Sequence, residues 1–102
     1  MEQRDTVLVA WLSGEIDHHA AGELRKQLDA RILAAPVERV VLDFSGVSFM
    51  DSSGIGLILG RYRLLQEVGG VLAVQGAGPQ VEKMLRLSGL SGIVTSEGSA
   101  KV

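Results

Sequence analysis

Between Phe49 and Gly56 the chain reads Phe-Met-Asp-Ser-Ser-Gly-Ile-Gly, one carboxylate beside two hydroxyls and two glycines. A hydroxyl in that setting can attack a carbonyl if a histidine takes its proton, or it can accept a phosphoryl group. The same residues can also do no chemistry and simply cap a helix, accepting hydrogen bonds from its free amides. Hydrolysis fits poorly. A nucleophile elbow wants glycine where Met50 stands, and His18 and His19 fall in the first turn of another helix. Adjacent helical residues point about 100° apart, so the two histidines also make a poor metal pair. The glycines at 54, 56 and 60 read GxGxxxG, one residue longer than the dinucleotide fingerprint, and no Gly-Lys-Ser/Thr run exists. Neither catalysis nor a metal or cofactor is expected.

Two readings of this stretch stay open. Asp51, Ser52 or Ser53 caps the following helix, or one serine is a switch. Two serines stand where a cap needs one, and Gly54, Gly56 and Gly60 each cost a helix about 1 kcal/mol against alanine, which suggests close approach by another surface. That surface is either the sheet below the helix or a second protein. A phosphoryl group would add a charge of about −1.5 to −2 beside Asp51. Since about 1.4 kcal/mol is tenfold in affinity, a modest penalty at such a contact switches a complex off.

The elements that must hold these residues alternate in type. Thr6 to Leu12 is β-branched and aromatic, and reads as a buried strand ending at Ser13-Gly14. Asp17 is a natural N-cap for a helix with Ala20, Ala21, Leu24, Leu28 and Ile32 on one face, closed by Pro36. Arg39 to Phe44 is a second strand, bounded by Ser45-Gly46. Ile55, Ile58, Leu59, Tyr62 and Leu65 recur at helical spacing until Gly69-Gly70, and Val71 to Val74 is a third strand. Pro79 opens a third helix that carries Val81, Met84, Leu85 and Leu87 and ends at Ser88-Gly89, with Leu90 placed for the contact of a glycine C-cap. Gly92 to Thr95 reads as a last short strand, and the polar tail from Ser96 as frayed. The fold expected is α/β, a mostly parallel or mixed sheet of about four strands with three or four helices packed on it.

At 102 residues the chain is expected to be one domain, 1–102. Its formal charge of −2 offers no field for nucleic acid or anionic lipid, which argues against either as a direct partner. There is no cysteine, so disulfides and thiolate metal sites are excluded. Val7 to Leu12 is the longest clean apolar run, far short of the ~20 residues of a membrane helix, and a cytoplasmic location is expected.

Leu12 to Ala21 (LSGEIDHHAA) together with Val47 to Arg63 (VSFMDSSGIGLILGRYR) resembles the anti-sigma-factor antagonists of the STAS domain family, above all the sporulation antagonists of spore-forming bacteria. The upstream VEKMLRL and SGL of the third helix fit as well, and the likeness runs from about Arg4 to Val94. The resemblance implies a protein without catalytic activity that binds an anti-sigma factor and so releases a sigma factor for transcription. It implies that this partner is a serine kinase carrying ATP or ADP, that it phosphorylates the serine directly after the aspartate, here Ser52, and that a serine phosphatase reverses the step. Glu15, Asp17, Asp51, Ser52, Ser53 and Gly54 would then belong to the partner-binding surface. Within that reading Ser53 is expected to be the cap and Ser52 the switch. The alternative is a ligand-sensing or scaffolding STAS module without a phosphorylation cycle. Family members usually carry an extra N-terminal strand and a further C-terminal helix. Few residues here precede Thr6 or follow Val94, so a smaller sheet is expected, with an open edge that a second chain could pair.

Overall fold

The computed structural model describes residues 1–92 and 95–97. The strands are β1 (Glu2–Arg4), β2 (Val7–Ile16), β3 (Arg39–Met50), β4 (Val71–Gln75) and β5 (Thr95–Glu97), and the helices α1 (His18–Ala34), α2 (Ser52–Val68) and α3 (Pro79–Leu87), with a 3₁₀ turn at Leu90–Gly92. The strands form one sheet in the order β1-β2-β3-β4-β5, antiparallel for β1 with β2 and parallel thereafter. Each parallel crossover therefore steps the same way along the sheet. Right-handed connections of that kind place all three helices on one face.

The residues follow that plan. Leu8, Ala10 and Leu12 of β2, Val40, Leu42 and Phe44 of β3, and Leu72 and Val74 of β4 are buried in one core with Leu28 and Ile32 of α1, Ile58 and Leu65 of α2, and Val81 and Leu85 of α3. The alternate residues Val9, Trp11 and Val71 look the other way, and Trp11 is 56% exposed. Between α1 and α2 the buried Arg61 places Nε 2.9 Å from Asp29 Oδ1. No well-aligned hydrogen bond forms there, so the contact is one of charge. Burial pulls the Arg61 pKa down and the Asp29 charge opposes it. Among the described residues no helix is long and apolar enough to cross a membrane.

Three expectations change. An N-terminal strand is present: Glu2–Arg4 pairs with β2 through a tight turn at Asp5-Thr6, where Asp5 takes a φ of 53°. Aspartate tolerates that left-handed conformation, and the strand escapes a hydrophobic reading because it is a short, charged edge. The sheet accordingly has five strands, in keeping with the mixed sheet of about four that was expected. At the other end, residues 93 and 94 of the expected last strand lie outside the described residues, whereas Ser96 and Glu97, expected in a frayed tail, pair with Val74 and Gln75.

The third change bears on the site. Ser13-Gly14 and Ser45-Gly46 do not end their strands. β2 runs on to Ile16 and β3 to Met50, through irregularities where three β3 steps oppose two in β2 (Trp11↔Asp43, Ser13↔Gly46) and two oppose one (Gly14↔Val47, Glu15↔Phe49). These are β-bulges, each with its extra residue in β3. Gly14 sits at the second with a φ of 75°, a conformation glycine adopts without penalty. Buried Asp43 holds the first. Its Oδ1 accepts from the Ser45 backbone N–H at 2.8 Å and the Ser45 hydroxyl at 2.5 Å, and its Oδ2 accepts from Gln75 Nε2 at 2.7 Å.

Candidate functional site

The bulged extensions carry β2 and β3 side by side to the same end of the sheet, where Glu15 pairs with Phe49 and Ile16 with Met50. The next residue in each strand is an aspartate that starts a helix. Asp17 Oδ1 accepts from the Ala20 N–H at 2.9 Å, and Asp51 Oδ1 accepts from the Ser53 N–H at 2.8 Å. The Asp51 N–H continues the ladder to the Ile16 carbonyl at 3.2 Å. Glu15 and Asp17 are thereby brought to the end of the sheet that carries Asp51, Ser52, Ser53 and Gly54, although the two aspartates are 34 positions apart in the chain.

The aspartate is the cap of α2, and neither serine is. Ser53 was expected in that role, but it supplies the N–H that Asp51 accepts, and the backbone at Asp51 is extended as an N-cap requires. Ser52 is the first helical residue, exposed, and its hydroxyl has no hydrogen-bond partner among the described residues. Ser53 is half-buried and Gly54 buried. Glu15, Asp17, His18 and His19 are all exposed.

The three glycines divide. A Cβ at Gly54 would run into the Met50 side chain and meet Ile16 Cγ2 at 3.4 Å, so this glycine lets α2 sit down on the strand ends. Gly56 and Gly60 have open space where a Cβ would be, and the sheet does not explain them. Gly56 instead lines an open groove between α1 and α2 with His18, Gly22, Arg25, Ser53 and Leu57.

Two residues join the site that the sequence does not single out. Phe49, next to Glu15 across the ladder, is 47% exposed, an apolar group at the rim of a polar loop. Gln80, in the first turn of α3, grips the Met50 backbone from both sides: its Oε1 accepts from the Met50 N–H at 3.2 Å and its Nε2 donates to the Met50 carbonyl at 2.8 Å. An aromatic among polar residues was a visible signal for Phe49, whereas nothing local distinguishes Gln80 from any polar residue at the start of a helix.

A sheet of sequentially ordered parallel strands with an antiparallel first strand, helices on one face, and a serine exposed after a capping aspartate define a STAS domain. The STAS domain profile matches residues 1–101, and the chain belongs to that family. Within it the chain is similar to anti-sigma factor antagonists. It is 46% identical over 90 residues to the anti-sigma F factor antagonist of Paenibacillus polymyxa, covering 88% of this chain and 77% of that one. The structure superposes on that of the antagonist SpoIIAA in its unphosphorylated form with a TM-score of 0.86 at 35% identity, covering 98% of this chain and 88% of that one. On the phosphorylated form of Bacillus SpoIIAA the TM-score is 0.79 at 33% identity, with 99% and 91% covered.

Proposed function

We propose that the protein is an anti-sigma factor antagonist that binds, when unmodified, an anti-sigma factor with serine kinase activity, and that phosphorylation of Ser52 ends the contact. In that step Ser52 Oγ attacks the γ-phosphorus of ATP held by the partner, the bond to ADP breaks, and the hydroxyl proton passes to a base on the partner or to water. A serine phosphatase restores the hydroxyl by hydrolysis. The protein catalyses nothing itself and works in the cytoplasm, where sigma factors act.

The observation that carries this reading is the place of Ser52. It is the exposed first residue of α2, and the cap is supplied by Asp51, so no bond among the described residues depends on its hydroxyl. A phosphate there meets the positive end of the helix dipole, which favours it within the fold. The penalty is felt at the contact, where a dianion beside Asp51 must lose its water against another protein. Glu15, Asp17, Ser53 and Gly54, with Phe49, belong to segments at the same end of the sheet.

The test is incubation with the cognate anti-sigma factor and ATP, followed by mapping of the phosphate by mass spectrometry. Transfer to Ser52 and not Ser53, with release of the partner, supports the reading. Stable binding with no transfer, or phosphate elsewhere on the chain, overturns it.

A further inference from the structure

β4 pairs with β3 only from Arg39 to Asp43, so Phe44 to Met50, the part of β3 that carries the site, have β2 on one side and, among the described residues, no strand on the other. At the last of these residues a side chain takes the place of a strand. The Gln80 primary amide presents a carbonyl and an N–H together, as a peptide group does, and both are used on Met50. Met50 is the residue before the Asp51 cap, and its side chain is fully buried beneath Gly54. The Nε2 group also lies 3.1 Å from Met84 Sδ, one turn further along α3, which helps hold the amide in place.

We infer that Gln80 is a positioning residue for Ser52. By fixing both polar groups of the Met50 peptide it sets the direction in which the chain enters α2, and with it the place of the Ser52 hydroxyl. The inference rests on the proposal that Ser52 accepts phosphate from a partner. Gln80 sits on α3, outside the Glu15 to Asp17 and Asp51 to Gly54 segments, so its loss leaves most of the docking surface intact. Without it the hydroxyl samples more directions within the bound complex, and a small misplacement of a reacting atom lowers the rate of transfer more than the affinity.

The experiment compares the intact protein with Gln80→Ala and Gln80→Glu, using the cognate anti-sigma factor and ATP, with phosphorylation kinetics at Ser52 and amide hydrogen exchange of the free protein as readouts. Gln80→Glu retains an acceptor for the Met50 N–H but sets an anion against the Met50 carbonyl, so it should not rescue. The expected result is exchange at the Met50 amide faster by about tenfold in Gln80→Ala, where no acceptor remains, and a smaller change in Gln80→Glu. Exchange in β2 and β4 should stay unchanged, kcat for Ser52 should fall about tenfold, and KM should stay within about twofold. Unchanged kcat in both variants overturns the inference, and so does uniformly faster exchange across the sheet, which marks a general staple. Absence of phosphate on Ser52 in the intact protein removes the functional proposal itself, and this inference with it. Equal phosphorylation of all three proteins removes only the role of Gln80.

Discussion

Ile16 and Met50 face each other on the last rung of the ladder between β2 and β3, both buried, and the backbone N–H of the residue after Met50 donates to the Ile16 carbonyl. This single pairing brings two aspartate-capped helices to one end of the sheet. Everything assigned to the site hangs from it. Because the Asp51 side chain begins α2 and Ser52 only follows, capping and switching are separable by mutation.

Asp51→Ala removes the acceptor of the Ser53 N–H and should cost about 1 kcal/mol, the usual loss for an N-cap. Ser53→Ala removes no capping bond and should stay within about 0.5 kcal/mol of the parent. Urea unfolding monitored by circular dichroism distinguishes them. A Ser53→Ala loss as large as that of Asp51→Ala would return the cap to the serine.

Gly54→Ala and Gly60→Ala should move stability in opposite directions. At Gly54 the added methyl meets Met50, which is fully buried and has little room to shift, and overpacking of this kind costs about 1–3 kcal/mol. At Gly60 the space is open, and alanine should stabilise the helix by up to about 1 kcal/mol. Thermal midpoints of the two variants decide. Stabilisation by both would mean that α2 does not need Gly54 to approach the strand ends.

Acid should weaken the first bulge through Asp43. Burial pushes its pKa up, but hydrogen bonds from the Ser45 hydroxyl, Gln75 and the Ser45 backbone outweigh that and leave it below the ordinary 3.8. A carboxyl with a depressed folded-state pKa contributes stability that is present above its unfolded value and lost as pH falls through its folded value. Asp43→Asn turns a donor toward either Ser45 or Gln75, so it should cost about 1–2 kcal/mol at neutral pH. The gap between variant and parent should narrow below about pH 4. A gap that stays constant down to pH 2 in urea titrations would show that the ionised form is not what holds the bulge.

The sequence carried the punctuation of the fold well. Asp17 as a cap, Gly69 in the left-handed conformation after α2, and Pro79 at the first position of α3 stand where local rules put them, because each depends only on its own backbone. Ser13-Gly14 and Ser45-Gly46 misled for the same reason. Serine and glycine signal a chain break locally, but here the pairing of two long parallel strands overrides the signal and absorbs it as bulges. Those bulges extend the strands far enough to bring the Glu15 and Asp51 segments together, so the assembly of the site was less legible than its members. Gln80 was invisible because its meaning is tertiary: its partner lies 30 residues away on a strand edge that only the fold leaves uncovered.

Substitutions at Ser52 should change binding without changing the fold. Its side chain is exposed and holds no internal hydrogen bond among the described residues, so Ser52→Ala and Ser52→Asp should each unfold within about 0.5 kcal/mol of the parent. Ser52→Ala keeps a small neutral group at the contact and cannot be phosphorylated, so it should bind the anti-sigma factor persistently even with ATP present. Ser52→Asp places one charge beside Asp51, fewer than phosphate and with fewer acceptor oxygens, so it should mimic the modified form only in part, weakening affinity by about tenfold or more. Calorimetric titration against the anti-sigma factor, with and without ATP, measures both. Equal affinities for alanine, aspartate and the unmodified serine would mean that charge at this position does not control the contact. A loss of stability in both would instead make Ser52 part of the scaffold.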